Sequence, residues 1–433
     1  MLAILLIKKQ KILSGMKLID KHNLKKVILI LLLFYSVTHF IYSGIYAPLN
    51  KESNDKPFEG LWNQIFPLRE SLLTNKPIQI TDPRQYGPIV FLLFHPVIKY
   101  ERIVIFYYAL ILDIILALGI IYLIIKISRL IIKDNCFNYI ILILSLNFSP
   151  LTTNLAMQMV ETWEVFFMLL GLYSYINRKN IITGILFGIA GLIKLIPLIF
   201  LFYFFIKSKK IFMYSITIIS FILLLSSFIY SFNIGINYPY YIYKDIIKPS
   251  PHATNAFDNT AFIELFHRII TGFNRGAEIN NIRMLFVSRI IKIILLIVSI
   301  VLIINFISKS NNTLIKLLEF SFIISIIPII SPNFGSNYHG VLLLPAYIFI
   351  LIILKILKYP KIETYIYSIS YLLVGFFFPV MLIKYIIPLE LINPNNTFIE
   401  NYTLYLIPLI GNVLLFLLCL RLKKLVNDSL KCK

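Results

Sequence analysis

The chain has 433 residues, 59% of them hydrophobic and 14% charged, with a mean hydropathy of +0.84. Those values exclude an ordinary water-soluble globular domain, in which about a quarter of the residues are charged. A formal charge of +21 does not point to nucleic acid, because the basic residues stand at the ends of apolar runs and form no continuous stripe.

The predicted fold class is all-α, a polytopic transmembrane helical bundle of about ten to twelve spans. It is read as a single transmembrane domain over residues 1–433, an integral multi-pass protein of a plasma or inner membrane. Lys8, Lys9, Lys11, Lys17, Lys21, Lys25 and Lys26 precede the first span, "KVILILLLFYSVTHFIYSGIY", and Arg421, Lys423, Lys424, Lys431 and Lys433 follow the last. By the positive-inside rule both termini face the cytoplasm. The apolar start "MLAILLI" stands before the lysines, the reverse of a cleavable signal peptide, so the first span is read as a retained anchor. Cys136, Cys419 and Cys432 are widely separated and suggest neither a disulfide framework nor a zinc site.

In chain order, Ala47 to Gln85 is the first extracytoplasmic loop, and within it "LWNQIFPLRESLL" has the pattern of a juxtamembrane helix. "YGPIVFLLFHPVIKYER" is too short to span comfortably and is expected to be a short or re-entrant helix. Ile103 to Ile125 is a clear span with Lys126, Arg129 and Lys133 behind it. Asn138 to Ile176 holds two apolar runs separated by "SPLTTNLAMQMVETWE", and Arg178 and Lys179 mark a basic turn. "IITGILFGIAGLIKLIPLIFLFYFF" then carries Lys194 at its middle. A lysine there is costly, about 2.5–3.5 kcal/mol, so the run is either a hairpin of two half-helices or one long tilted helix. Six further spans follow, ending with Leu404 to Leu420. Alternation places Asn233 to Arg289 outside as a second large loop, together with "SPNFGSNYHG" and Glu390 to Tyr402.

Polar residues in or beside spans are candidates by default, since each has to offset its desolvation through a partner or a water-filled cavity. On the outer side lie Asp55, Glu59, Arg69, Glu70, Asp82 and Arg84 in the first loop. His252, Asp258, Asn259, Arg268, Arg275 and His339 lie in the later ones. A carboxylate with a histidine can take the proton of a hydroxyl, and guanidinium or ammonium groups can hold a phosphate. The bland alternatives are that loop acids such as Asp55 and Glu70 are simply solvated and that His95 is structural. Asp113, inside an apolar run, fits a structural hydrogen bond as well as a cavity role. Glu161 and Glu164 bracket Trp163 where an outer loop meets a span. Lys194 is not a snorkelling end residue unless the helix breaks there.

Four segments resemble the GT-C superfamily of membrane glycosyltransferases, and within it the polyprenol-phosphate-dependent glycosyltransferase family 87. They are "LLTNKPIQI" leading into "YGPIVFLLFHP", where Gly87 replaces a proline; the central block from "MQMVETWE" through "FYFFIKSKK", with Pro197 within it; "NTAFIELFHRI"; and "SPNFGSNYHG". The central block carries Gln158, Val160, Glu161, Gly184, Gly188, Gly191 and Lys194. The resemblance implies inverting transfer of a sugar, a mannose-like hexose, from a polyprenyl phosphate to an acceptor hydroxyl at the extracytoplasmic face. The base implied is a first-loop carboxylate, Glu59 or Asp55, or else His339, with Asp82 as a further candidate. Lys194, Arg268 and Arg84 would hold the phosphate, and Gln158, Glu161, Asn259 and Tyr86 would line the site. The expected partners are the lipid-linked donor, a glycan or glycolipid acceptor and membrane lipids, not nucleic acid. No nucleotide-binding glycine loop or metal-binding aspartate pair is evident, so no metal or cofactor is expected beyond the lipid-linked co-substrate. The rival readings are a transporter or flippase with Asp113, Glu161 and Lys194 as a mid-membrane relay, and a polysaccharide polymerase or ligase.

Overall fold

The computed structural model describes residues 21–46, 49, 59–74, 87–194, 196–230, 235–237, 262, 265, 269, 282–331, 339–375 and 397–431, and no strand occurs among them. In chain order, α1 (Lys21–Phe40) runs on into a π-helical turn (Ile41–Tyr46). Then come α2 (Glu59–Thr74), α3 (Pro88–Phe94), α4 (Arg102–Arg129), α5 (Asn135–Leu146) and α6 (Ser149–Met157). The middle of the chain forms α7 (Glu161–Ile176), α8 (Asn180–Ile193), α9 (Ile199–Lys207) and α10 (Lys209–Ile229). The remainder forms α11 (Ile282–Phe306), α12 (Thr313–Ile330), α13 (Leu344–Ile356), α14 (Lys361–Gly375) and α15 (Thr397–Lys431). Single 3₁₀ turns, Ile196–Leu198 and His339–Leu343, lead into α9 and α13.

The bundle is all-α and polytopic. Among the described residues six helices are long and apolar enough to cross a membrane, or seven if α5 and α6, bent by 47° at Asn147–Phe148, make one span. α8 and the Ile196–Lys207 stretch are apolar but shorter than a span. The helices are apolar all round, so periodicity does not say which of them form the core. Packing does. Of the span-forming window of α12, 78% is buried, and 89% of that in the His339–Ile356 stretch, against 17% for α11 and 22% for α10. The first two are the centre of the bundle, and the last two present Phe228, Phe286 and Ile293 outward, as helices solvated by lipid do.

Contacts fix the direction of each pass. Asp113 meets Trp163, Gly119 meets Phe166 and Lys126 meets Tyr173, so α4 and α7 run parallel. Phe187 on α8 packs on Phe200 and Phe204 of α9, with ring centroids 5.0 and 4.9 Å apart. A continuous helix rising about 1.5 Å per residue would hold Phe187 and Phe204 some 25 Å apart. The chain therefore reverses at Lys194, whose extended backbone (φ −151°, ψ 154°) breaks the helix. Of the two readings of this run, the structure adopts the hairpin.

Tracing these directions gathers the basic turns after α4, α7 and α9 at one end of the bundle, whereas Arg283 and Arg289 near the start of α11 lie toward the other. At the first of these ends buried Glu319 accepts from Lys207, Tyr203 and the Ser308 amide. At the same end Lys355 pairs with Asp134 at 2.6 Å and Arg421 pairs with Glu363. The Lys194 reversal, the start of α7 and the start of the His339 turn lie at the opposite end. On that side α2 lays Leu61, Ile65 and Leu68 against Val90, Phe91 and Phe94 of α3, the arrangement expected of a juxtamembrane helix on a re-entrant one.

Close approach of α8 to α10 depends on Gly184 and Gly188. A Cβ at Gly184 would stand 2.5 Å from Tyr214 Cβ and 2.8 Å from the Ile211 carbonyl oxygen, and Ser215 Oγ donates to the Gly184 carbonyl at 2.9 Å. Without a hydrophobic drive between helices in lipid, this close packing and interhelical hydrogen bond hold the pair. Gly184→Ala is expected to lower stability by about 1–3 kcal/mol, read as a drop in Tm of the detergent-solubilised protein.

Asp134 starts α5, its Oδ1 accepting from the Cys136 and Phe137 amides at 2.9 and 3.3 Å. The hydrogen bond from Lys355 holds its carboxyl below the usual carboxylate range. A depressed folded pKa contributes stability that is complete above the unfolded value of about 3.9 and is lost as pH falls through the folded value. Asp134→Ala is expected to cost about 0.5–1 kcal/mol at neutral pH, discounted because the pair is partly exposed, and progressively less below about pH 4. Denaturant unfolding at several pH values measures this.

Candidate active site

Three breaks in helical structure bring the site together. Gln158 takes a left-handed conformation (φ 50°) at the end of α6, closing it with Gln158 N donating to the Leu155 carbonyl and Met159 N to that of Asn154. The chain then turns into α7, whose first residue is Glu161, a position where the helix dipole favours a carboxylate. Lys194 sits at the α8–α9 reversal, and the preceding Ile193 carbonyl accepts from Gly87 N at 2.8 Å, tying the start of α3 to the same place. His339 opens the 3₁₀ turn before α13.

The three side chains meet in the interior. Lys194 Nζ lies 2.5 Å from Glu161 Oε1 and 2.6 Å from His339 Nε2, and His339 Nε2 lies 3.2 Å from Glu161 Oε1. Glu161 and His339 are essentially inaccessible, and the Lys194 side chain keeps 10% of its surface. An ammonium group only donates, so the short contact assigns His339 Nε2 as an acceptor and its ring proton to Nδ1. Glu161 Oε2 accepts from Asn154 Nδ2 at 3.1 Å, and Asn154 Oδ1 accepts from the Thr162 amide at 3.3 Å and from its hydroxyl.

Further acids stand behind this cluster. Trp163 Nε1 donates to Asp113 Oδ1, and its ring stacks on Phe94 at 5.7 Å. Glu164, one turn after Glu161, is fully buried, and among the described residues neither of its oxygens has a hydrogen-bond partner. Asp113 Oδ2 and Gln158 Oε1 are likewise unsatisfied, while Gln158 Nε2 reaches the Phe106 carbonyl at 3.5 Å. Among the described residues, the interior of this end thus holds three carboxyl groups, one ammonium and one imidazole in apolar surroundings. A charge in such surroundings persists only when it is paired, as Lys194 and Glu161 are.

Of the residues singled out from the sequence, the structure brings Glu161, Lys194 and His339 into contact and sets Gln158 at the turn beside them. Asp113 bonds to Trp163 one layer behind. His95 stands apart, its Nδ1 3.0 Å from the Tyr230 hydroxyl, which donates to the Phe91 carbonyl, a structural role. Arg69 and Glu70 pair with each other on α2, with Arg69 also donating to the Tyr100 carbonyl. Glu59 is the first residue of α2, but its side chain lies outside the described residues, as do Asp55, Asp82, Arg84, Tyr86, His252, Asp258, Asn259, Arg268 and Arg275. Asn154 and Thr162 escaped the sequence reading, which took their segment as a connector. The one available signal was an Asn and a Thr in an otherwise apolar stretch. Among the described residues no group of three metal-binding side chains converges.

A multi-pass helical bundle with an acid, a base and a cation buried at one end fits a GT-C-like membrane glycosyltransferase. The sequence profile of "Glycosyltransferase family 87" matches residues 85–332, more than half of the 433, and the chain belongs to that family. No curated protein matches it. The matched segment carries Asp113, Asn154, Glu161 and Lys194, and it ends seven residues before His339.

Proposed function

We propose that the chain moves a mannose-like hexose from a polyprenyl-phosphate donor to an acceptor hydroxyl at the extracytoplasmic face, with inversion. The observation that carries this reading is the Glu161–Lys194–His339 cluster, placed at the end of the bundle away from the basic turns. By the positive-inside rule those turns face the cytoplasm, and both termini with them, so the cluster faces outward. The domain organisation that goes with it is one transmembrane unit over 1–433, with loops 47–85 and 233–289 outside.

A lipid-linked donor enters sideways from the bilayer and brings its phosphate to the level of Lys194. In the resting protein Lys194 donates to both Glu161 and His339. Turning its ammonium toward the donor phosphate withdraws the lysine proton from His339 Nε2, and that nitrogen then takes the proton of the acceptor hydroxyl. The hydroxyl oxygen attacks the anomeric carbon from the face opposite the phosphate. The new C–O bond forms as the bond to the phosphate oxygen breaks, and the polyprenyl phosphate leaves carrying its electron pair beside Lys194. Arg84 and Arg268 are proposed as further phosphate ligands, and Gln158, Asn259 and Tyr86 as sugar contacts. Asp55, Glu59 and Asp82 are the alternative bases. No cofactor enters this scheme, since the donor supplies its own leaving group.

The test incubates purified full-length protein with a panel of polyprenyl-phosphate sugars and simple glycosyl acceptors, following release of polyprenyl phosphate and the anomeric configuration of the product. Release with an inverted product is the expected result. Absence of release from every donor, or release only from nucleotide sugars, overturns the donor assignment.

A further inference from the structure

The geometry points to Asn154 as a positioning residue for this reaction, with the Thr162 hydroxyl as the lock that sets its orientation. A side-chain amide can be placed either way round, and its neighbours decide which. Here the Thr162 backbone N–H faces the amide, and a backbone N–H can only donate, so the atom it meets is Asn154 Oδ1. The Thr162 hydroxyl donates to the same oxygen. The amide nitrogen is thereby turned to Glu161 Oε2 at 3.1 Å. Were the amide reversed, its oxygen would face a carboxylate oxygen and repel it.

Fixing Oε2 in this way fixes the other half of the carboxylate. Oε1 is the atom that receives Lys194 at 2.5 Å and lies 3.2 Å from His339 Nε2. Asn154 is fully buried on α6, while Thr162 and Glu161 open α7, so the left-handed turn at Gln158 is what lets one helix orient an acid on the next. Among the described residues, the titratable groups facing Glu161 are Lys194 from the α8–α9 reversal, His339 from the turn before α13, Asp113 from α4 and Glu164 from its own helix. Asn154 is the neutral donor that holds the carboxylate among them.

This inference rests on the proposed reaction for its activity readout alone. Asn154→Leu is expected to lower kcat about tenfold to a hundredfold, the range for losing a hydrogen bond to a charged group, with KM for the donor little changed. Thr162→Val is close in shape and keeps the backbone bond, so it folds; it is expected to give a smaller fall in kcat, and Thr162→Ser to restore most of the loss. The second readout needs no substrate: the infrared carboxylate band that vanishes in Glu161→Gln is expected to shift in Asn154→Leu and Thr162→Val and to return in Thr162→Ser. An unmoved band in Asn154→Leu, or equal kcat in Thr162→Val and Thr162→Ser, overturns the positioning role. A wild-type protein inactive with every polyprenyl-phosphate sugar overturns the proposed reaction instead, and the infrared result still decides this inference.

Discussion

Lys194→Met is expected to lower kcat about a hundredfold to a thousandfold, the scale for removing one donor to a developing oxyanion. It is also expected to lower the Tm of the purified protein. Both effects follow from one contact. The ammonium lies 2.5 Å from Glu161 Oε1 in the interior, and its loss leaves a carboxylate buried without a counter-charge, at a cost of about 3–5 kcal/mol. Activity and stability come apart in the pair of variants. Lys194→Met with Glu161→Met removes both charges, so Tm should recover much of what the single change lost while transfer stays absent. Measuring both variants by thermal unfolding and by lipid-phosphate release separates the two roles. A Lys194→Met protein that keeps half of its transfer rate has no phosphate-holding role for this residue.

His339→Ala is expected to reduce kcat by about a hundredfold to ten-thousandfold, the usual worth of a positioned general base, with a smaller fall in Tm than Lys194→Met. The difference in stability has a stated cause. Lys194 and Glu161 still satisfy one another when the imidazole is gone, whereas the reverse does not hold. Initial rates over a range of acceptor concentrations check the first part and thermal unfolding the second. If His339→Ala transfers at the wild-type rate while combined loss of Asp55 and Glu59 abolishes transfer, the base is in the first loop, and Lys194 then holds His339 for structure alone.

The sequence identified some parts of this site and not others, for physical reasons. Lys194 stood out because an ammonium in an apolar run needs an answering charge, and Glu161 because it opened a span. Their pairing was not visible, since two passes and a reversal separate them along the chain. The reversal itself stayed undecided, because Lys194 and Pro197 suit both a kinked span and a hairpin. What decides it is the packing of Phe187 on Phe200 and Phe204. The all-α class and the gathering of basic turns at one end followed from hydropathy and charge. The choice of which apolar helices form the core did not, because α11 and α13 read alike, and only the neighbours of each tell a buried helix from one facing lipid. Asn154 was missed because its role depends on the left-handed Gln158, which turns a neutral amide toward an acid seven residues on.

The reversal at Lys194 also bears on how the protein is made. Arg178 and Lys179 lie before α8, and Lys207, Lys209 and Lys210 lie at and after the end of α9, at the same end of the bundle. In the proposed topology, a hairpin leaves both basic groups on the cytoplasmic side. A single helix would have to carry one of them through hydrocarbon. What enters the bilayer is a wedge with one ammonium at its tip, and the ribosome has by then released Glu161, thirty-three residues earlier in the chain. With passes inserted in chain order, Glu161 precedes the lysine that pairs with it, and the ion pair can form as the hairpin inserts.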